Sequence, residues 1–383
     1  MRIGIDIRCL AEGKRTGVEE YTLALLSGLF KRCPENEYIL FFNAWKKTPD
    51  FSWATKYPNV TVKMFHFPNK LLNFSLWYLR FPKLDTLVGG TDIFFLPNLN
   101  FAAVSHKTKL VVTAHDLSFE LFPDTFSLKR RIWHFFIHFK RLVLSADRVM
   151  AVSESTKNDL IDYYGVPKEK ITVIYSGIGE QFHTMSHNDT DLIRVQEKYH
   201  LPYRFILSLA TLEPRKNIPA LISAYDALQA QGHPTLSKYS LVIAGTRGWK
   251  YEETFAAIAH SPYKDKIILP GFIADEDKTA LYNLASIFVY PSFYEGFGFP
   301  PLEAMACGVP VIASHSSSLP EIMGDAGILI DPYQPDELFQ ALKQTLLDPV
   351  LTDTLRKKSQ VRAKNFRWEK TVQETISLFH SLI

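Results

Sequence analysis

The sequence predicts an α/β protein built as two doubly wound, parallel-sheet domains. Three observations carry that reading. The chain has 383 residues, more than one hydrophobic core ordinarily organises. Short runs rich in β-branched residues alternate with amphipathic helical patterns, as in successive βαβ units. Several of those runs are continuously apolar rather than alternating, as strands covered on both faces must be.

In chain order, the strand candidates of the first half are 2–7, 38–43, 60–65, 92–96, 110–114, 148–152 and 171–175. Those of the second half are 205–209, 240–244, 266–269, 287–290, 309–313 and 327–330. Between the halves, 177–201 opens with polar residues (His183, His187, Asn188, Asp189, Asp191) and reads as a linker followed by a short helix before Pro202. The predicted domains are therefore 1–180 and 198–366, with 181–197 as linker. The last segment, 367–383, carries Trp368, Val372, Ile376 and Phe379 on one helical face and has no strand after it, so it must dock on existing structure.

Composition narrows the function classes. Apolar residues make up 46% and charged residues 22%, the mix of a globular protein rather than a disordered one. A net charge of +3 on this length gives no support for a nucleic-acid partner. Cys9, Cys33 and Cys307 lie far apart with no CxxC pair, which argues against a zinc site or disulfide framework and fits a reducing compartment. Met1-Arg2-Ile3-Gly4-Ile5-Asp6 runs directly into a strand, and no apolar run reaches the roughly 20 residues of a membrane span. A cytoplasmic protein is expected.

Open α/β sheets bind ligands beyond the carboxyl ends of their strands. Two such positions carry chemistry. After 205–209 comes Thr211-Leu212-Glu213-Pro214-Arg215-Lys216-Asn217, then a helical pattern. Arg215 and Lys216 thus stand where free backbone N–H groups and a helix dipole already favour an anion, and cations there would be unfavourable without one. A guanidinium beside an ammonium suits a diphosphate. After 287–290 comes Tyr294-Glu295-Gly296-Phe297-Gly298-Phe299-Pro300-Pro301-Leu302-Glu303. The glycines let backbone approach a ligand, the prolines suit a helix start, and the two carboxylates can grip vicinal hydroxyls such as those of a sugar or ribose.

These segments resemble the retaining family-4 (group 1) glycosyltransferases, whose Glu-seven-Glu motif is matched by Glu295 and Glu303 and whose donor diphosphate segment by Pro214-Arg215-Lys216-Asn217. Further matches are Gly4-Ile5-Asp6 with Thr16-Gly17-Val18, Thr113-Ala114-His115-Asp116, Val152-Ser153-Glu154-Ser155, Ile174-Tyr175-Ser176-Gly177, Gly245 through Gly248-Trp249, and Pro270-Gly271-Phe272-Ile273, so the resemblance covers the whole chain. It implies a GT-B fold, with two Rossmann-like domains, the active site in the cleft and a final helix, 367–383, crossing back to the N-domain. It implies that Arg215 and Lys216 bind the donor diphosphate and Glu303 the ribose hydroxyls. Glu295 and the backbone around Phe297, Gly298 and Phe299 would contact the transferred sugar, and Gly271, Phe272 and Ile273 would lie near the base. Gly17 would let phosphates or acceptor pass close to backbone, and His115, which ends an apolar strand, would orient the sugar or acceptor.

The activity so implied is transfer of a hexose, with retention, from a nucleotide-diphosphate sugar of the GDP-mannose or UDP-glucose type to a glycan or lipid-linked sugar. Arg215 and Lys216 would stand in for a divalent metal, so neither metal nor cofactor is expected. Asp189-Thr190-Asp191 spells the Asp-x-Asp of metal-using transferases but lies in the linker and reads as solvated. Asp275-Glu276-Asp277 precedes a helix and reads as structural. Alternatives are a sugar phosphorylase of similar architecture and a non-catalytic sugar-nucleotide-binding protein. A dinucleotide oxidoreductase is rejected because Asp6-Ile7-Arg8-Cys9-Leu10 replaces a glycine fingerprint after the first strand.

One segment bears on location. In 127–144, Leu128, Ile132, Phe135, Phe136, Phe139, Leu142 and Val143 form one helical stripe, which reads as ordinary core. Lys129, Arg130, Arg131, Trp133, Lys140 and Arg141 occupy the remaining face, and that face is expected to attract an anionic membrane or a lipid-diphosphate acceptor. Residues 71–78 add a second aromatic cluster. A peripheral position on the inner membrane face is the corresponding expectation, with a soluble basic helix as the alternative.

Overall fold

The computed structural model of the protein describes residues 1–11, 17–45 and 49–383, and it separates into two compact units. The first comprises Met1–Leu117, Leu128–Gly177 and Arg367–Ile383; the second comprises Ser118–Ser127 and Ile178–Phe366.

The first unit is built on a seven-stranded sheet of β1 (Arg2–Asp6), β2 (Glu37–Asn43), β3 (Val60–Phe65), β4 (Ile93–Leu96), β5 (Lys109–Ala114), β6 (Arg148–Ala151) and β7 (Ile171–Val173). The spatial order is β3-β2-β1-β4-β5-β6-β7 and every pairing is parallel. Residues Ile3–Ile5 of β1 and all of β4 are non-polar and buried, as central strands covered on both faces must be. At the edge, β3 has only half-buried and exposed positions, which alternate over its first four residues.

The C-terminal helix Trp368–His380 belongs to this unit, as its amphipathic face requires: Val372, Ile376 and Phe379 are all buried. It lies against the helix Gly17–Arg32, where a Cβ on Gly28 would come within 2.5 Å of Val372. Phe379 meets the ring of Phe95 at 5.4 Å, and Thr371 Oγ1 donates to the Tyr175 carbonyl at 2.7 Å. Gly177 is pressed so close that a Cβ there would stand 2.2 Å from the backbone nitrogen of Trp368. No side chain fits that position.

The second unit repeats the plan with β8 (Phe205–Leu209), β9 (Ser240–Ala244), β10 (Ile267–Gly271), β11 (Ile287–Tyr290), β12 (Val311–Ser314) and β13 (Ile328–Ile330), in the order β10-β9-β8-β11-β12-β13, all parallel. Its core gathers Ile206, Leu221, Tyr225, Leu241, Ile243 and Val289 between sheet and helices. The excursion Ser118–Ser127 joins this unit by contact: Trp249 stacks on Phe126 at 5.5 Å and donates its Nε1–H to the Thr125 carbonyl.

Three local expectations change. The short helix expected before Pro202 is present and begins at Thr190, inside the span 181–197 assigned to linker, with Asp189 capping it by accepting from the Asp191 amide at 3.0 Å. Asp191 pairs with Arg194, so the Asp-x-Asp pattern is a helix start. Asp277 does more than favour a helix dipole: fully buried, it accepts from Arg194, Lys198 and Tyr199 at 2.6–2.7 Å and ties that helix to the second unit. The third change concerns 127–144. His138 adopts a left-handed conformation (φ 51°) and splits the predicted helix into Leu128–Ile137 and Phe139–Ser145. Only the stripe's second part is core: Phe139, Leu142 and Val143 are buried, whereas Leu128, Ile132, Phe135 and Phe136 are exposed. Past the break, the two halves of the stripe no longer share a face.

Candidate functional site

In the second sheet, β8 and β11 are neighbours although two strands, β9 and β10, separate them in sequence order, which makes the space beyond their carboxyl ends a topological switch point. Both predicted donor segments emerge there. After β8, Pro214–Lys216 forms a short 3-10 turn, Asn217 takes a left-handed conformation (φ 53°), and the helix Ile218–Ala230 begins. After β11, the loop runs to Gly298, whose φ of 107° lets the chain turn directly into the helix Phe299–Ala306. A side chain at Gly298 would be strained and would meet Leu319 at 2.8 Å.

The two segments interlock. Lys216 Nζ donates to Glu295 Oε1 at 2.5 Å and to the Tyr290 hydroxyl at 2.8 Å. Arg215 Nη1 donates to Glu295 Oε2 at 3.1 Å and to the Tyr294 carbonyl at 2.6 Å. Its Nη2 donates to Glu213 Oε1 at 2.8 Å. All four charged side chains are at least 86% buried, with relative exposures of 14% for Arg215, 8% for Lys216, 5% for Glu213 and 9% for Glu295. Two cations thus face two carboxylates. Such charges persist away from water because each is paired and hydrogen-bonded.

Electrostatics follows from the pairing. Burial pushes the Glu295 carboxyl up, but Arg215 and Lys216, with the hydrogen bond from Lys216, outweigh it and hold the group near about 2. Burial lowers Lys216, Arg215 lowers it further, and Glu295 and Glu213 pull it back. Burial, with Glu295 nearby, raises Tyr290 well above its usual range, so its hydroxyl stays protonated. A neighbouring serine loop supports the backbone: the Glu295 amide donates to Ser317 Oγ at 2.7 Å, and Ser318 Oγ donates to the carbonyls of Glu295 and Phe297 at 2.9 and 2.8 Å.

Glu303 lies one turn into the helix Phe299–Ala306 and is buried. Its Oε2 accepts from the hydroxyl of the fully buried Tyr282 at 2.7 Å. Burial and Glu303 raise Tyr282 well above its usual range, which keeps it a donor. Phe297 is buried against Phe299 (centroids 5.1 Å apart) and Phe366 (6.0 Å). Gly271 ends β10 at φ 78°, Phe272 is 62% exposed and Ile273 is only 2% exposed, so Ile273 has no side-chain surface to offer and can present only backbone.

His115 and Gly17 belong to the first unit. His115 leaves β5 partly buried, and its Nε2 lies 2.8 Å from the Pro97 carbonyl. A carbonyl only accepts, so Nε2 carries the hydrogen and Nδ1 is the ring's acceptor. Burial lowers its pKa, partly offset by the Pro97 bond and Asp116, and the ring is neutral at pH 7. Its own carbonyl accepts from Thr156 Oγ1 at 3.2 Å, and Tyr21 packs edge-on at 4.8 Å. Gly17 is the exposed first residue of the helix Gly17–Arg32; Thr16, its motif neighbour, lies outside the described residues.

Sequence reasoning missed Glu213, Tyr282, Tyr290, Ser317 and Ser318. Glu213 was within reach, since it stands two residues before Arg215 in the same segment and is a carboxylate beside a predicted cation pair. The others meet the site only through strand pairing and helix packing. Among the described residues, no three His, Cys, Asp or Glu side chains converge where a metal ion could be held.

Comparison with known proteins gives consistent matches along the chain. Residues 15–182 match the family described as Glycosyltransferase Family 4, and residues 189–366 that described as Glycosyl transferases group 1. The chain is 32% identical to O-antigen chain mannosyltransferase B of Escherichia coli over 80% of its own length and 77% of that protein's. It is 32% identical to serotype-specific mannosyltransferase WbdA of Escherichia coli over 72% of this chain, a match that spans 34% of WbdA. Among solved structures, Anabaena HepE in complex with UDP and glucose superimposes over all of both chains with a TM-score of 0.73 at 20% identity, a likeness of fold.

Proposed function

This chain belongs to the glycosyltransferases of group 1 and family 4 and shares the GT-B fold, and from that premise we propose that it transfers a hexose, with retention and without a metal ion, from a nucleotide-diphosphate sugar to a glycan or lipid-linked sugar. The observation that carries the donor half of this reading is the buried Arg215–Lys216–Glu295–Glu213 cluster at the switch point between β8 and β11.

The chemistry follows from where charge develops. Cleaving the bond between the anomeric carbon and phosphate oxygen leaves an oxocarbenium-like sugar and places negative charge on the departing diphosphate. Arg215 and Lys216 are pre-positioned cations for that charge, and the helix beginning at Ile218 adds its dipole. Glu213 and Glu295 neutralise them. A diphosphate would take over hydrogen bonds now made to Glu295, freeing that carboxylate for the hydroxyls of the transferred sugar. Glu303, held by Tyr282, accepts from the ribose hydroxyls. His115, neutral and with Nε2 committed to Pro97, has Nδ1 and its carbonyl to orient sugar or acceptor and is not assigned as the base. The acceptor's proton goes to the departing phosphate oxygen in this scheme.

The mannosyltransferase names of the similar proteins favour a mannosyl donor such as GDP-mannose, with UDP-glucose as the second candidate, and an O-antigen-like glycan as acceptor. The test is incubation with a panel of GDP- and UDP-sugars in the presence of a chelator, measuring nucleoside diphosphate release and the anomeric configuration of product. Release from one donor with retained configuration is expected. No release and no binding for any donor, with or without a lipid-linked acceptor, would overturn the assignment.

A further inference from the structure

The first unit leaves a large apolar surface uncovered. Residues 66–84 and 128–146 contain no Asp or Glu but eight Lys and Arg. With 40 acidic residues in 383, chance composition would place about four acids in stretches of that length. These two stretches meet in space: Trp77 packs edge-on against Phe136 at 5.3 Å and stacks on His138 at 6.0 Å. Each buries a few anchors, Leu72 and Leu76 in one and Ile137 in the other. Around them the large side chains point outward. Phe74 is 53% exposed, Tyr78 69%, Phe81 65%, Leu128 71%, Ile132 49% and Phe135 69%.

We infer that this joint surface, the segment 69–81 together with the helix Leu128–Ile137, docks on a lipid bilayer bearing anionic headgroups. Contiguous exposed apolar surface of this kind marks an interaction site, because leaving it in water is unfavourable. Charge then selects the partner. Lys70, Lys129, Lys140 and Arg141 are exposed on the same two stretches, which carry no carboxylate of their own. A second copy of this chain, docking face to face, would set those cations against their own duplicates. An anionic bilayer satisfies both features at once: its acyl region receives Phe74, Tyr78 and Phe135, and its headgroups receive the ammonium and guanidinium groups. Trp133, at 42% exposure, is a residue type suited to the interface. No helix among the described residues is long and apolar enough to cross a membrane, so the contact is one of lying on the surface. This inference goes beyond the basic face read from sequence, since the apolar side itself is presented.

The inference does not rest on the donor reading, and its readout is independent of turnover. The full chain is co-sedimented with phosphatidylcholine vesicles with and without phosphatidylglycerol at physiological salt. Binding to the anionic vesicles and little to the neutral ones is expected. The variant Phe74→Ser, Tyr78→Ser, Phe135→Ser should lose roughly tenfold or more of that binding, and Lys70→Gln, Lys129→Gln, Arg141→Gln should lower it further as salt rises. Both variants should keep an unchanged melting temperature, because the replaced side chains are exposed. Failure of the wild-type chain to bind anionic vesicles, or equal binding by the aromatic variant, would overturn the inference. So would a dimer in sedimentation velocity that the aromatic substitutions dissolve, since that assigns the surface to self-association.

Discussion

Replacing Lys216 by Met and Glu295 by Gln, singly and together, separates the structural role of their ion pair from a role in holding diphosphate. Lys216 has three N–H donors, two of them engaged by Glu295 at 2.5 Å and Tyr290 at 2.8 Å. With Lys216 gone, Glu295 keeps Arg215 at 3.1 Å, so the cost stays below the roughly 3–5 kcal/mol of a fully orphaned buried charge. We expect about 2 kcal/mol, which lowers the melting temperature of a unit of this size by roughly 4–8 °C. The double variant removes both charges and should recover most of that loss, as pairs removed together usually do. Affinity for UDP or GDP, measured by calorimetry, should follow a different pattern. Lys216→Met should weaken it by about 1.5–3 kcal/mol, roughly ten- to a hundredfold. Glu295→Gln alone should tighten it roughly tenfold, because the competing carboxylate is gone while both cations stay. The double variant should bind roughly ten- to a hundredfold more weakly than Glu295→Gln, on the same uncharged background, although its stability has returned. Equal affinity in those two variants would refute the diphosphate role and leave Lys216 a purely structural partner of Glu295.

Three further outcomes follow from particular contacts. Tyr282→Phe deletes the 2.7 Å bond that orients Glu303, and should raise the donor KM roughly five- to tenfold with kcat nearly unchanged; an equal fall in kcat would mean that Glu303 acts on the reacting bond instead. Gly177→Val cannot be accommodated 2.2 Å from the Trp368 nitrogen, and should expose Trp368–His380 to limited proteolysis at a concentration of protease that leaves the wild type intact. His115 is held below its ordinary pKa of 6.5, so the unfolded chain binds more protons than the folded one just below that value. Its contribution to stability is complete above that pH and declines as pH falls through the folded pKa. His115→Gln, whose amide N–H can still reach the Pro97 carbonyl, should flatten the fall in urea midpoint between about pH 7 and pH 5; an unchanged slope would assign the fall to other groups.

Much of this was legible along the chain, and the physical reason is that local signals are written locally. The thirteen strands among the described residues were each anticipated, the central ones from continuous apolar runs, because parallel strands buried on both faces need them. Arg215, Lys216, Glu295 and Glu303 could be chosen because a strand end followed by a helix start is itself an anion- or hydroxyl-binding context, and the family motif spans a single stretch of chain. Packing of the final helix on the first unit was foreshadowed by one amphipathic face with no later strand to cover it.

What only tertiary structure decided concerns partners distant in sequence and the direction in which faces point. That Lys216 and Arg215 are neutralised by Glu295 depends on β8 and β11 lying side by side, and nothing within either segment encodes that adjacency. Tyr282 reaches Glu303 from another helix, and Asp277 gathers donors some eighty residues upstream in sequence. The apolar stripe of 127–144 is the reverse case: periodicity marked it correctly as apolar, but one left-handed residue, His138, turned half of it to solvent. A sequence can specify that a face is apolar. Whether the fold covers that face depends on the elements packed against it, and here those elements cover Phe139, Leu142 and Val143 and leave Leu128, Ile132, Phe135 and Phe136 open.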